Sequence, residues 1–423
     1  MTTTAIFLVL LGLMSIRTSI AVSLGMASLV GLLLSGIDLE IIVQRMVATN
    51  NSFPLLAIPF FILAGEIMST GGMSRRLVDF AGSLVGHLRG GLGAVAILGS
   101  SFFAALSGSN AATVAAIGGV MNQPMAEKGY RPAYTASTIA AAGVTGMIIP
   151  PSILLILYGV VTGVSIADLF LAGVGPGILI CLSLLFLNWF ITRRENVEKV
   201  PFQGIGEIFR TFRAAIRPLL MPVIILSGIY GGVFTPTEAA VVAVGYGLLA
   251  SFLFGELTFA SLYRAFLRAV VSSAVVMFIM NCAGVFAWLI TINQIPQGIS
   301  AFLASATASP LVYLLFVNLF LIFVGCLMNA AAAIVIFTSI LYPAAMSFGI
   351  DPVLFGIIMA VNLSIGTVTP PLGVDLFIAS AITKVSMERI VAVIWPYVLI
   401  LIVDLLLITY FPPISTFLVN VFK

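Results

Sequence analysis

The sequence predicts an all-α polytopic membrane protein made of two inverted-topology repeats, each with five transmembrane helices and one re-entrant helical hairpin. Three observations carry this: an apolar composition, a match of the chain to itself at one offset, and a lopsided placement of basic residues. Of 423 residues, 61% are hydrophobic and 8% charged, whereas soluble domains are about 25% charged. A helix needs about 20 residues to cross a hydrocarbon core of about 30 Å, and these apolar runs are too long and continuous for barrel strands. The net charge of +3 is spread too thinly to bind nucleic acid. Cys181, Cys282 and Cys326 are odd in number and far apart, which excludes a disulfide framework or a CxxC metal site. The start lacks a basic n-region and a small-residue cleavage site, so it is expected to be mature sequence.

In chain order, the runs 4–16 and 18–35 predict two scaffold spans. An arm region, 38–89, holds the span 54–70 between two stretches, 38–53 and 72–89, that mix charged and apolar residues as interfacial helices do. The run 90–124 is too long for one helix and polar in its middle, which predicts a hairpin. A broken helix at 133–163 and a span at 168–192 complete the first unit, 1–200. A cytoplasmic linker, 201–217, leads to the second unit, 218–423. That unit holds scaffold helices in 218–254, an arm at 256–270, a span at 271–291, a hairpin at 311–343, a broken helix at 353–383 and a span at 390–411.

Sliding the chain on itself by about 219 residues aligns Gly65 with Gly284, Asn110 with Asn329 and Pro124 with Pro343. After one inserted residue, Pro132, Gly146, Pro150, Pro151 and Pro176 meet Pro352, Gly366, Pro370, Pro371 and Pro396. Five crossings per unit leave only Arg45 and Lys423 on one side, so that 16 of the 18 Lys and Arg residues share the other. Basic residues collect on the cytoplasmic side. Five is odd, so the second unit is expected upside down, with both termini outside the cytoplasm.

Inverted repeats whose broken helices meet at the midplane are the architecture of secondary transporters. The first hairpin tip reads Ser107-Gly108-Ser109-Asn110, and the later break runs from Gly146 to Ser152 through Pro150 and Pro151. The second tip runs from Gly325 to Asn329, and its break reads Gly366-Thr367-Val368-Thr369-Pro370-Pro371. Proline removes a backbone donor and frees carbonyls. Those carbonyls, with Ser, Thr and Asn oxygens beside them, suit a monovalent cation, and half-helix N-termini suit a carboxylate. Ser152 and Asp375, next to the two breaks, are candidates for contact with substrate.

These runs, together with Phe234-Thr235-Pro236-Thr237-Glu238-Ala239-Ala240, resemble the large membrane subunit of tripartite ATP-independent periplasmic (TRAP) transporters, the DctM-like family. The likeness covers essentially the whole chain. It implies a sodium-driven, elevator-type carrier of an organic acid, such as a C4-dicarboxylate, sialic acid or another sugar acid, in the bacterial inner membrane. It implies two partners: a small four-helix membrane subunit, expected as a separate chain, and a periplasmic substrate-binding protein. Sodium is then the coupling ion, and no other cofactor is expected. The implied sodium sites map onto Ser107, Ser109, Asn110, Gly146 and Pro150, and onto Gly325, Asn329, Gly366, Thr367 and Thr369. A departure follows Asn329, where Ala330 to Ala333 replace an acidic or hydroxyl residue of many relatives.

Other polar residues have structural readings. Thr235 to Glu238 fits a capping box. Glu66 and Asp79 are expected to pair with Arg75 and Arg76 at the cytoplasmic face, and His87 to lie on the surface. Asp404, set among leucines, is costly to bury and is a functional candidate. With one histidine, no HExxH and no nucleophile elbow, the chain is not expected to be an enzyme, and no lysine precedes Ser or Thr as a Walker A motif requires. The competing reading is a stand-alone sodium/carboxylate symporter or antiporter without a binding protein.

Overall fold

A computed structural model describes residues 2–16, 18–193, 201–255, 257–299 and 309–422. Arg17, Arg194, Lys199 and Lys423, which enter the charge count, lie outside the described residues. Among the described residues there are helices and no strand, and eight helices are long and apolar enough to cross a membrane.

Two sets of helices, here named outer and inner, make up the fold. The outer group holds α1 (Thr2–Ser15), α2 (Ile20–Ser35), α3 (Glu40–Asn50), α4 (Ala57–Thr70) and α5 (Met73–Val85), then α11 (Ile205–Tyr230), α12 (Pro236–Leu253) and α13 (Phe259–Ile292). Here α4 packs on α12 and α13, and α2 on α1 and α13. Ser19, Thr235 and Thr258 start α2, α12 and α13, where a side-chain oxygen satisfies an orphan N–H of the first turn. The expected capping box is present, with Thr235 N donating to Glu238 at 2.8 Å and Glu238 N to Thr235 Oγ1 at 3.3 Å.

The inner group begins with α6 (Gly91–Ser107), α7 (Asn110–Glu127), α8 (Pro132–Gly143), α9 (Ile153–Thr162) and α10 (Ile166–Thr192). It continues in α14 (Pro310–Leu327), α15 (Ala330–Ser347), α16 (Pro352–Gly366), α17 (Val374–Thr383), α18 (Met387–Tyr410) and α19 (Pro413–Phe422). The helix pairs α6/α7 and α14/α15 stand where the sequence predicts hairpins, and α8/α9 and α16/α17 where it predicts breaks. The packing crosses between the halves of the chain. The first arm of each hairpin lies on the half-helix before the break of its own half (α6 on α8, α14 on α16). The second arm lies on the half-helix after the break of the opposite half (α7 on α17, α15 on α9).

Three elements differ from expectation. The stretch 201–217 is helical from Ile205, because Ile205, Phe209, Phe212 and Ile216 recur at helical spacing between arginines. The expected arm 256–270 and span 271–291 form one helix, α13, since no Gly or Pro interrupts the chain before Gly284. At 34 residues it is about 51 Å long and exceeds the hydrocarbon core. The C-terminal α19, not foreseen, lies along α10, where the Ile414 carbonyl approaches Gly175.

Candidate functional site

At the first hairpin tip, Gly108 adopts φ 60° and ends α6, a conformation that favours glycine. Ser109 then caps α7 by accepting from Ala112 N at 3.4 Å. Thr113 Oγ1 donates to the Ser109 carbonyl at 2.8 Å and lies 2.9 Å from Ser107 Oγ. Gly146, in the turn Val144–Met147, presses against this pair: a Cβ there would sit 2.6 Å from Ser109 O and 2.7 Å from Thr113 Oγ1. Ser107, Ser109 and Gly146 are therefore brought together, with Thr113 as a member that the sequence reading missed. Pro150 is buried nearby against Gly173 of α10. Ser152 is occupied by its own backbone, accepting from Leu155 N at 3.4 Å and donating to the Met147 carbonyl.

At the second tip, Gly325 and Gly366 meet backbone to backbone, and a Cβ on Gly366 would lie 2.5 Å from Gly325 Cα. Thr369 Oγ1 donates to the Ile365 carbonyl at 2.8 Å. The two asparagines are not equivalent. Asn329 is exposed and caps α15, accepting from Ala331 N at 2.9 Å. Asn110 is fully buried and reaches across the molecule, its Nδ2 donating to Thr367 Oγ1 at 2.9 Å. Thr367 Oγ1 in turn lies 2.6 Å from Asp375 Oδ2. The cause is a one-residue difference in the caps: Ser109 caps α7 and frees Asn110, whereas Asn329 itself caps α15.

Both tips and both breaks open on one cavity of about 370 Å³. Its wall includes Ser107 to Ser109, Met147, Asn329, Thr367 and Asp375, with Gly65 and Glu66 of α4 and Ser272 of α13; Ser152 is not part of it. The first turns of four helices reach the wall, through Ala111 and Ala112 of α7, Ile153 and Leu154 of α9, Ala330 and Ala331 of α15, and Val374 and Asp375 of α17. Each N-terminus carries about half a positive charge. Glu66 therefore lies at the cavity and not with Arg75 and Arg76; its partner is Arg268 of α13, 3.8 Å away. The reason is the packing of α4 against α13. Asp404 accepts from Ser183 Oγ between α18 and α10, away from the cavity. His87 is half-buried, its ring centroid 4.9 Å from that of Phe202. Among the described residues no three His, Cys, Asp or Glu side chains group as ligands for a metal ion.

Over residues 7–414 the chain matches the profile of the DctM component of tripartite ATP-independent periplasmic transporters. It belongs to that family. The C4-dicarboxylate TRAP transporter large permease protein DctM of Pseudomonas aeruginosa is 41% identical over 400 residues, 94% of each chain. The 2,3-diketo-L-gulonate TRAP transporter large permease protein YiaN of Escherichia coli is 39% identical over 376 residues, 89% of this chain and 88% of that one. Among solved structures, the YdaH transporter of Alcanivorax borkumensis superposes with a TM-score of 0.65 at 16% identity, covering 89% of this chain and 90% of that chain. That likeness is one of fold. The DctM-family permease is thus a multi-pass helical membrane protein whose relatives are transporter subunits.

Proposed function

We propose that this permease carries an organic acid anion across the bacterial inner membrane, coupled to sodium ions held at the two hairpin tips. The observation that carries the reading is the convergence of four helix N-termini on one cavity, which favours a negatively charged ligand. The relatives' names point to C4-dicarboxylates or sugar acids, a class that includes sialic acid. One sodium would sit among Ser107, Ser109, Asn110, Gly146 and Pro150, and another among Gly325, Asn329, Gly366, Thr367 and Thr369. Support comes from the close approach of Gly146 to Ser109 and of Gly366 to Gly325, which holds each tip against a break. A periplasmic binding protein would deliver the acid, and a small membrane subunit would cover part of the outer helices. Family membership argues against the stand-alone carrier. The test is uptake by vesicles holding the chain and the small subunit, under a sodium gradient, with and without the binding protein. Uptake is expected only when both the gradient and the binding protein are present; equal uptake without the binding protein sinks the reading.

The same proposal includes two inverted units, 1–200 and 218–423, with re-entrant hairpins that move as one elevator body. The crossed packing of α7 on α17 and α15 on α9 supports it, as does the burial of Ser107 and Asn110 inside the molecule. A reporter active only in the periplasm is expected to work when fused after Lys423 and to be silent when inserted near residue 200. Activity at both positions would rule out an odd number of crossings.

A further inference from the structure

The charged side chains in the cavity wall, Glu66 and Asp375, are both acidic, and among the described residues the wall holds no basic one. A guanidinium stands at its rim. On α13, Ser272 and Val276 belong to the wall, and Arg268 lies on the same helical face four residues before Ser272, about 6 Å along the axis. On α4, Ile62 and Glu66 of the wall are spaced in the same way. The two stripes meet at the rim, where Arg268 Nη1 is 3.8 Å from Glu66 Oε2. That is about 1 Å longer than a charge-assisted hydrogen bond, and 64% of the Arg268 side chain is exposed against 24% for Glu66. So loose and open a pair adds little to stability. A guanidinium carries five N–H donors in a planar fork, so Arg268 has donors to spare for another carboxylate.

We infer that Arg268, held at the rim by Glu66, takes the end of the carried acid that points away from the helix N-termini, and that this contact selects acids with two carboxylates over acids with one. The inference rests on the organic-acid reading and assigns it a residue that sets selectivity. The converging N-termini favour one carboxylate, and the second meets the fork of Arg268, which can bind it through two parallel hydrogen bonds. Glu66 competes for the same donors, and an acid without a second carboxylate has nothing to displace it with. Both residues belong to the outer group, whereas the hairpin tips and breaks belong to the inner one. Movement of the inner group as one body therefore carries the acid away from Arg268, and the contact acts in one of the two states only.

The test uses the full-length chain reconstituted with the small subunit in saturating sodium, and reads thermal stabilisation by three probes: succinate, with two carboxylates; succinamate, the same skeleton with one; and gluconate, a sugar acid with one. Wild type is expected to bind succinate more tightly than the other two. Arg268→Gln is expected to weaken succinate on the order of tenfold and to leave succinamate nearly unchanged, with Arg268→Lys recovering part of the loss. Glu66→Gln removes the competitor and is expected to strengthen succinate binding, which a purely structural ion pair would not do. Arg264→Gln, one turn earlier on α13 and outside the wall, is the control for surface charge and should behave as wild type. An equal loss for succinate and succinamate in Arg268→Gln, or no loss for either, overturns the inference. Stabilisation of wild type by gluconate and not by succinate overturns it as well but leaves the organic-acid reading standing. Stabilisation by none of the three overturns both.

Discussion

Gly366→Ala is expected to reduce uptake on the order of a hundredfold, and Gly146→Ala to come close to it. A Cβ on Gly366 would lie 2.5 Å from both Cα and C of Gly325, and one on Gly146 would lie 2.6 Å from the Ser109 carbonyl oxygen. In each case the neighbour is backbone, which cannot swing aside as a flexible side chain would. Relieving overpacking of this kind costs about 1–3 kcal/mol, and here the movement that relieves it parts a hairpin tip from its break. Gly119→Ala serves as the control, because a Cβ there meets nothing within 4 Å. It should leave uptake unchanged, with stability equal or slightly raised. The measurement is initial uptake in proteoliposomes alongside the melting temperature. Wild-type uptake by Gly366→Ala would show that tip and break need not touch during transport.

Thr113→Val should raise the sodium concentration for half-maximal uptake on the order of tenfold while the amount of protein in the membrane stays the same. Valine keeps the branched shape but removes the hydroxyl that bonds the Ser109 carbonyl at 2.8 Å and faces Ser107 Oγ at 2.9 Å. Hydrogen bonds of this kind contribute about 0.5–1.5 kcal/mol, and a buried polar group left unpaired costs about 1–3 kcal/mol. Thr113→Ser, which retains the oxygen, should stay near wild type. An unchanged sodium dependence in Thr113→Val would remove the residue from the proposed ion site and leave it a packing role.

The helix boundaries at Gly108 and Met328, and the interruptions at Pro150–Pro151 and Pro370–Pro371, were legible because glycine, proline and polar residues stand out inside apolar runs. Thr113 was not, since a threonine on a helix commonly bonds the carbonyl four residues back. Only the approach of Gly146, from a helix break far along the chain, gives it another meaning. The self-match put Asn110 and Asn329 in equal roles, yet which residue caps a helix depends on the local turn. Gly108 turns the first tip through φ 60°, while Met328 is extended at the second. Charges at Arg264 and Arg268 made part of α13 look interfacial, although nothing in the backbone stops the helix there. Glu66 was misplaced for a related reason: its nearest charges in sequence are Arg75 and Arg76, but its partner Arg268 comes from a distant helix.

The crossed packing of the hairpins also sets an order of events during synthesis. When the ribosome has made only the first 200 residues, α7 and α9 have no α17 or α15 to lie against. Asn110 then has no Thr367, and the Tyr158 hydroxyl lacks the Pro352 carbonyl that it will bond at 2.7 Å. Nearly half the chain must therefore wait in the membrane with polar side chains unpaired, where lipid offers them no hydrogen bonds. An insertase or chaperone that shelters such half-made bundles would act on this stage, and the two halves, expressed as separate genes, should be stable only when made together.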